Sequence, residues 1–328
     1  MLVEYQLKCR LPWFRYNKLP LDEIIKNPEA HDKLFCPEIP FCPENNLFQA
    51  NNCGEIRIIY SNNNPLETIR FHAITLLSFI SMCVGTVCQY EPWIIIDNEV
   101  FSDFFSFPKE TFLPYKTHKD VKFWELCFGD IRDDFSSILN SLFNPTYPPI
   151  SYHILPNYLA TTYYIDFCGS LEWKFQNAVT TVESLMSFIN KETYEKTEEE
   201  YLNKFNFVKA NIDKEYISCI SCRRITLEKK LADAIELGRK KLNVTFVSNF
   251  HKNKFSTTCA NTRNHLCHYL CENKNKAYLS LREMSEATDF FITLARILVL
   301  SEICKNIDIT TIFKQNSVLR LFLKFYKF

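Results

Sequence analysis

The residue types best suited to chemistry in this chain are an arginine, an asparagine and a histidine within the stretch RNHLCH at residues 263–268. Histidine titrates near neutral pH and can act as a general base or a general acid. Arginine presents a charged fork that matches phosphate oxygens, and asparagine can orient the histidine or bind such an oxygen. Arg263, Asn264 and His268 are therefore candidate catalytic residues for RNA cleavage, in which a ribose 2′-hydroxyl attacks the neighbouring phosphate. DNA lacks this nucleophile, and the scheme requires neither a metal nor a cofactor.

The motif is predicted to lie on a helix within residues 243–270, and a helix turns about 100° per residue. The apolar residues that share one face of this helix are Phe255, Cys259, Leu266 and Leu270. Asn264 and His268 fall on the opposite side and are four residues apart, so their side chains are neighbours. Arg263 lies on the flank, within reach of them. We therefore expect a polar patch that faces away from the core of its own domain, with His265 structural or merely exposed.

The region before the motif is basic, although the whole chain balances 38 Lys and Arg against 38 Asp and Glu. Between Lys214 and Arg263 there are eleven basic residues and four acidic ones. A local positive patch of this kind favours a polyanionic partner such as RNA. The weaker candidates for RNA binding are Arg239, Lys240, Lys241, Lys252 and Lys254. The alternative interpretation is that these charges simply solvate the outer faces of helices.

Composition excludes several classes of function. The chain has only five glycines and lacks the glycine-rich phosphate loops of nucleotide-binding folds. Its first residues do not resemble a secretory signal, so the 14 cysteines are expected to be reduced thiols in a cytoplasmic protein. Residues 73–90 carry no charge, but their serines and threonines favour a buried helix over a membrane span. We expect no membrane association.

Signals for secondary structure divide the chain into two regions. We expect residues 1–148 to form a mixed α/β region, with residues 1–62 extended and rich in loops. Residues 149–328 are expected to form a helical domain with a basic C-terminal tail, and prolines and aromatic residues at 144–152 mark the boundary. The expected fold class is mainly α, or α+β overall, with an antiparallel helical bundle preceded by the smaller mixed α/β region.

Capping, turn and periodicity signals predict the individual elements. In the N-terminal region these are a strand at 56–60, a helix from 65 to about 83, strands at 87–90 and 93–96, and a helix at 131–142. In the C-terminal region they are helices within 155–189 and from 197 through 207, a further helix that follows to about 222, and helices at 226–242, within 243–270 and at 280–304. Thr197 with Glu200, and Ser280 with Glu283, each have the spacing of a capping box, which predicts a helix start at both places.

The sequence around the motif resembles a known family. The stretch NKFSTTCANTRNHLCHYL, followed by a polar loop and then LREMSEATDFFITLARILVLSEI, is similar to the C-terminal end of HEPN domains, most closely those of the ApeA-like branch. Arg263, Asn264 and His268 match the arginine, polar residue and histidine of the family motif. The stretch FQNAVTTVESLMSFI, with Glu183, resembles the family's opening helix, so the resemblance covers about residues 150–305.

The N-terminal half also resembles part of the ApeA-like branch. The stretch PLETIRFHAITLLSFISMCVG, followed by short strands, is similar to the region that precedes the HEPN domain in ApeA-like proteins. Residues 1–60 are shorter than the β-rich module usual there, which leaves open whether that module is reduced or missing.

The resemblance implies a HEPN-type helical bundle with metal-independent endoribonuclease activity. It implies a homodimer in which two motif-bearing helices face each other and form a composite site. Arg263 and His268 are about 140° apart on one helix, which fits a site completed by two subunits. By the same resemblance, the chain would serve in antiphage defence or a toxin system.

Several alternatives stay open. The chain could be a non-catalytic HEPN-like module that binds RNA or nucleotides, or that only dimerises. It could also be a regulated sensor whose N-terminal region recognises a phage-derived trigger. Cys219 and Cys222 could form half of a zinc site with Cys267, His268 or Cys271, and a cysteine–histidine nucleophile pair is a weaker alternative. The tail at 313–328 is expected to pack on the core, although it could bind membrane or RNA.

Overall fold

The structure is a computed structural model, which describes residues 3–9, 38–41, 46–50, 55–60, 66–84, 90–96, 99–102, 128–143, 170–212, 224–243, 251–268, 275–306 and 308. Helices predominate over strands in these residues, in agreement with a mainly α protein. The chain divides into two compact units. The first comprises Met1–Tyr163 and Val299–Arg320, and the second comprises Tyr164–Leu298 and Leu321–Phe328. The boundary expected at 148/149, the zinc candidates Cys219, Cys222 and Cys271, and the C-terminal tail at 313–328 lie outside the described residues.

The first unit contains a six-stranded antiparallel sheet with the order β2-β3-β4-β1-β5-β6. The strands are β1 (Val3–Cys9), β2 (Ile39–Phe41), β3 (Asn46–Ala50), β4 (Glu55–Tyr60), β5 (Tyr90–Ile96) and β6 (Glu99–Ser102). The strand expected at 56–60 is confirmed as β4. Four of the six strands that the structure describes lie within residues 1–62, where the sequence predicts one strand in an otherwise extended, loop-rich region.

The strand expected at 93–96 is confirmed within β5, which begins at Tyr90 and so includes Glu91 and Pro92. A proline inside a strand removes one possible ladder hydrogen bond. The register explains why Pro92 is tolerated: it pairs with Leu7 of β1, whereas the β5–β6 ladder begins only at Trp93. On the β6 side, Pro92 therefore lies one residue beyond the last strand pair that the described residues form. Residues 87–89 lie outside the described part of the chain.

The helix expected from about 65 to 83 is confirmed as α1 (Leu66–Val84). Its side chains from Thr75 to Ile80 are all buried, which explains why this stretch carries no charge. The helix expected at 131–142 consists of α2 (Phe128–Ile131), a 3₁₀ turn (Arg132–Asp134) and α3 (Phe135–Phe143). No helix in the described ranges has both the length and the apolar character that a bilayer crossing needs.

The core of the first unit encloses a histidine between two aromatic rings. His72 of α1 stacks on Phe143 at 4.2 Å and on Tyr60 at 5.9 Å, both at an interplanar angle of 20°. The hydroxyl of Tyr60 lies 3.1 Å from Nδ1 of His72 and donates to it in the neutral tautomer that carries its proton on Nε2. Desolvation by burial lowers the pKa of His72 to about 4.

The second unit is helical. Its helices are α4 (Leu171–Ile189), α5 (Lys191–Ala210), α6 (Leu227–Lys241), α7 (Lys252–His268) and most of α8 (Leu281–Ile303), whose last residues belong to the first unit. Ser170 caps α4 by accepting a hydrogen bond from the backbone N–H of Trp173 at 3.3 Å. An apolar stripe of α4 is buried from Phe175 to Met186. Residues 155–169, expected to be helical as well, lie outside the described residues.

The helix start predicted at Thr197 is wrong, because α5 runs without a break from Lys191. The hydroxyl of Thr197 donates to the carbonyl of Thr193 at 2.8 Å, so it bonds one turn back within the helix and does not cap an end. The capping box at Ser280 is confirmed. The Ser280 N–H donates to Glu283 Oε2 at 2.8 Å, and the Glu283 N–H donates to Ser280 Oγ at 3.4 Å. The further helix expected to reach Cys222 lies mostly outside the described residues.

Helix α6 confirms the prediction at 226–242. Thr226 caps its start by accepting from the N–H of Lys229 at 3.3 Å. Its end is closed by Asn243, which adopts a φ of 48° and donates its N–H to the carbonyl of Lys240. Helix α6 contacts both α4 and α7, and α4 also contacts α7. The three helices therefore pack against one another around the motif.

Candidate active site

The motif lies on the last two turns of α7, as expected. The residues of α7 that are buried are Ser256, Cys259, Ala260 and Thr262. Of the predicted apolar stripe, Cys259 is buried, whereas Phe255 and Leu266 are half-buried and Leu270 lies outside the described residues. Phe255 packs against Phe290 and Phe291 of α8, with ring centroids 5.6 and 5.9 Å away. These contacts hold the start of α7 against the final helix.

The residue before the motif arginine fixes the other end of α7. The hydroxyl of Thr262 donates to the carbonyl of Thr258 at 2.9 Å and accepts from the backbone N–H of Leu279 at 2.9 Å. Thr262 is buried, so both bonds form in a region of low dielectric. The chain that leads into α8 is thereby attached to α7 one residue before Arg263, which restricts movement of the motif.

Arg263 is held by residues from two directions. Its Nη2 lies 3.4 Å from Glu183 Oε2 on α4, and its Nη1 donates to Asn264 Oδ1 at 3.2 Å. The other carboxylate oxygen of Glu183 lies 3.6 Å from Nζ of Lys230 on α6. The three charged side chains retain only 18–26% of their exposure, so solvent screens their interactions less than at an open surface. One carboxylate faces two cations, which leaves a net positive charge.

The guanidinium of Arg263 is not fully satisfied by the residues that the structure describes. Its Nε is buried and has no hydrogen-bond partner among the described residues. Leaving a buried donor unpaired costs about 1–3 kcal/mol. Because Oδ1 of Asn264 accepts from Arg263, the Nδ2 amide of Asn264 points elsewhere and can donate to another acceptor. The pair therefore combines a cation and amide donors, which suit an anionic ligand.

The third motif residue is set apart from the arginine. His268 is exposed, is the last residue of α7, and forms no hydrogen bond with Arg263 or Asn264 in this chain. The helical spacing places its side chain next to Asn264 but about 140° from Arg263. The arginine and the asparagine are thus brought together, whereas the imidazole is presented outward.

The second histidine of the motif packs inward. His265 is half-buried, its ring centroid lies 5.2 Å from that of Tyr278, and its Nδ1 is buried without a partner among the described residues. This environment supports a structural role for His265 and leaves His268 as the histidine available for proton transfer.

The five weaker RNA-binding candidates fall into two groups. Arg239 and Lys252 both contact Glu236, at 2.6 and 3.3 Å. The hydrogen bond from Arg239 is the main cause of the lowered pKa of Glu236, and Lys252 adds to it. The three exposed candidates are Lys240, Lys241 and Lys254. The cationic surface available to a polyanion is therefore smaller than the count of basic residues suggests.

The cysteines of the described residues do not form a metal centre. No group of three or more His, Cys, Asp or Glu side chains in these residues could hold a metal ion. Burial raises the pKa of the Cys259 thiol well above its usual range and that of Cys304 to about 12, so both behave as small apolar residues. Cys267 is half-exposed, next to His268 in sequence.

The sequence does not indicate the contacts of Glu183. The resemblance places this residue in the opening helix but assigns it no partner, and it lies 80 residues from Arg263. Lys230 contributes to the count of basic residues without any sign of a specific role. Only the packing of α4, α6 and α7 brings the three side chains together.

Comparisons with known proteins give no relative. No family model, no curated protein and no solved structure matches this chain.

Proposed function

We propose that this chain is a metal-independent endoribonuclease of HEPN type, with Arg263, Asn264 and His268 as its catalytic residues. The observation that carries the proposal is the cluster at the end of α7. There, Glu183 fixes Arg263 beside Asn264, and the same helix presents His268 to solvent. A fixed cation, amide donors and an accessible imidazole are the groups that phosphodiester transesterification needs.

In the proposed reaction, neutral His268 accepts the proton of a ribose 2′-hydroxyl, whose oxygen then attacks the adjacent phosphorus. The bond from phosphorus to the 5′-oxygen breaks, which gives a 2′,3′-cyclic phosphate on one fragment and a 5′-hydroxyl on the other. Arg263 and the amide of Asn264 stabilise the charge that builds on the phosphoryl oxygens. The leaving oxygen takes a proton from an imidazolium or from water.

We further propose that the site is completed in a homodimer through the ends of two α7 helices. The angle of about 140° between Arg263 and His268 on one helix supports this proposal. A second copy could place its histidine opposite the arginine of the first, since a two-fold axis brings the same surface of both subunits together.

The direct test is incubation of purified protein with mixed RNA, followed by analysis of the new ends. We expect 2′,3′-cyclic phosphate ends from wild type, and their loss in His268→Ala and Arg263→Ala. The matched control is His251→Ala, because His251 is an exposed histidine just before the opposite end of α7. Equal cleavage by wild type and His268→Ala would exclude this site.

A role in antiphage defence or in a toxin system remains our proposal for the cellular function, with the N-terminal region as a sensor of a phage-derived trigger. It predicts that expression of wild type harms cells, either by itself or only when a phage component is present. Arg263→Ala should be harmless in both cases. RNA binding without turnover would instead favour a non-catalytic binding module.

A further inference from the structure

A groove with a volume of 560 Å³ runs between α5 and α6. Its lining comes from one face of each helix. The lining runs from Arg224 to Lys240 on α6 and just before it, and from Asn190 to Tyr201 on α5 and just before it. From Thr226 to Lys240 the lining residues of α6 span about 21 Å along the helix, at 1.5 Å per residue. This span suits an extended ligand.

Two hydrogen bonds fix the width and the direction of this groove. The hydroxyl of Tyr194 donates to Asp233 Oδ2 at 3.0 Å, and the backbone N–H of Ile225 donates to Glu198 Oε1 at 3.0 Å. Glu198 comes after Tyr194 on α5, but its partner Ile225 comes before Asp233 in the chain. The two helices therefore run antiparallel. Tyr201 therefore lies at the end of the groove where α6 starts, and Lys240 lies at the other end.

The groove favours an anion. Its two lining carboxylates already have cationic partners: Asp233 has Lys229 at 2.6 Å, and Glu236 has Arg239 and Lys252. The other two lining cations, Arg224 and Lys240, are exposed and form no ion pair with another residue that the structure describes. They stand at opposite ends of the groove. One compact anion cannot reach both, whereas a chain of phosphates can.

The groove shares helix α6 with the proposed active site, because Lys230, the neighbour of Lys229, contacts Glu183. Helix α7 runs antiparallel to α6, since Lys252 meets Glu236 whereas Arg263 meets the carboxylate that also binds Lys230. The end of α7 that carries His268 therefore lies toward the start of α6. This is also the end of the groove that carries Arg224.

We propose that this groove binds a flanking segment of single-stranded RNA, a few nucleotides long, that extends from the cleavage site. The inference rests on the proposed ribonuclease function. Arg224 and Lys240 bind phosphates, which recur about every 3.4 Å along a stacked strand. Both contacts are to the phosphate backbone, so the groove selects strands by length and not by sequence.

The test measures binding of 2′-O-methyl RNA, which lacks the attacking hydroxyl, by fluorescence anisotropy. We expect Arg224→Ala/Lys240→Ala to weaken binding of a ten-nucleotide strand about tenfold. The slope of log K against log salt should fall by about 1.4, because each phosphate contact on a single strand contributes about 0.7. A trinucleotide should bind wild type and the variant equally. The charge-matched control is Lys196→Ala/Lys209→Ala, which removes two exposed lysines of α5 outside the groove lining and should bind as wild type does.

Three results would overturn the groove proposal: unchanged affinity and salt slope in the groove variant, an equal loss in the control, or absence of strand binding by wild type. Tight binding of AMP that depends on Arg224 would also overturn it, in favour of a pocket for a free nucleotide. Binding through the groove without cleavage of unmodified RNA would reject the ribonuclease and keep the groove. If the groove variant cleaves long and short RNA as wild type does, the groove proposal is rejected and the ribonuclease proposal is kept.

Discussion

The guanidinium of Arg263 lies 3.4 Å from the carboxylate of Glu183, a residue 80 positions earlier on a different helix. The same carboxylate contacts Lys230 on a third helix. A negative charge between two positive ones fixes the arginine without cancelling its charge. A phosphate that approaches Arg263 therefore meets a cation whose position is already set, so little ordering is required on binding.

The first prediction concerns this carboxylate. Glu183→Gln keeps the shape of the side chain but removes the charge that separates Arg263 from Lys230. We expect kcat to fall roughly tenfold while KM changes little, because the arginine loses its fixed position. Glu183→Asp should recover part of the activity. The control is Glu286→Gln, which breaks the exposed pair with Arg282 and should leave kcat unchanged. A Glu183→Gln enzyme with wild-type kcat would show that this contact does not position the arginine.

The second prediction concerns the pH dependence of the first unit. The pKa of His72 is about 4 in the folded chain, against about 6.5 when unfolded. The neutral form is therefore favoured by folding. Its contribution to stability is fully present above pH 6.5 and is lost as the pH falls from 6.5 to 4. The loss should be on the order of 3 kcal/mol.

The measurement is denaturant unfolding of the first unit's signal between pH 7 and pH 4. The matched variant is Tyr60→Phe/His72→Phe, which keeps the stacked rings and removes both hydrogen-bonding groups together. Its stability should depend less on pH across this window. An identical pH slope in wild type and the double variant would mean that other groups control the acid response.

The third prediction concerns the hydrogen bond between Thr262 of α7 and Leu279, which lies just before α8. Thr262→Val keeps the volume of the side chain but removes the acceptor of the Leu279 N–H. We expect a loss of about 1–3 kcal/mol of stability and faster hydrogen exchange at the Leu279 amide. Thr258→Val is the control, because its hydroxyl donates only to the exposed carbonyl of Lys254, and it should change stability by less than about 0.5 kcal/mol. Equal losses in the two variants would contradict the assigned role of Thr262.

The fourth prediction separates two stretches that look alike in sequence. Ser280→Ala removes a confirmed cap and should cost about 1 kcal/mol. Thr197→Ala replaces a residue inside the continuous helix α5 with a better helix former and should be neutral or slightly stabilising. Thermal unfolding of both variants measures the difference. A larger loss in Thr197→Ala than in Ser280→Ala would contradict this placement of the helix starts.

Thr197 and Ser280 show how far the sequence could predict the fold. Local signals suffice for α1, α6 and α8, whose predicted bounds agree with the structure to within one residue at each end. They fail at Thr197, because a hydroxyl with a glutamate three residues later fits a helix start and a helix interior equally well. They also miss Glu91 and Pro92 as part of β5, since only the pairing with β1 shows that the strand continues through them.

The candidate site could likewise be predicted from the sequence only in part. The motif and its helix follow from residue type and a 3.6-residue period, because Arg263, Asn264 and His268 belong to one short segment. The contact of Arg263 with Glu183 depends on how α4, α6 and α7 pack, and no spacing within one helix encodes it. The reduced basic surface has the same origin, since the pairing of Lys252 with Glu236 links two helices.

The last prediction tests the composite site. If Arg263 of one subunit acts with His268 of the other, Arg263→Ala and His268→Ala should each be inactive alone. An equimolar mixture that exchanges subunits contains one half heterodimers, and each heterodimer holds one intact site and one site that lacks both residues. The mixture should therefore recover about a quarter of wild-type cleavage. Sites contained within one subunit would leave the mixture inactive, because every subunit then lacks one of the two residues. The control is a mixture of Arg263→Ala with Arg263→Lys, in which no dimer can contain an intact site. Its activity should not exceed the sum of the activities of the two variants measured separately.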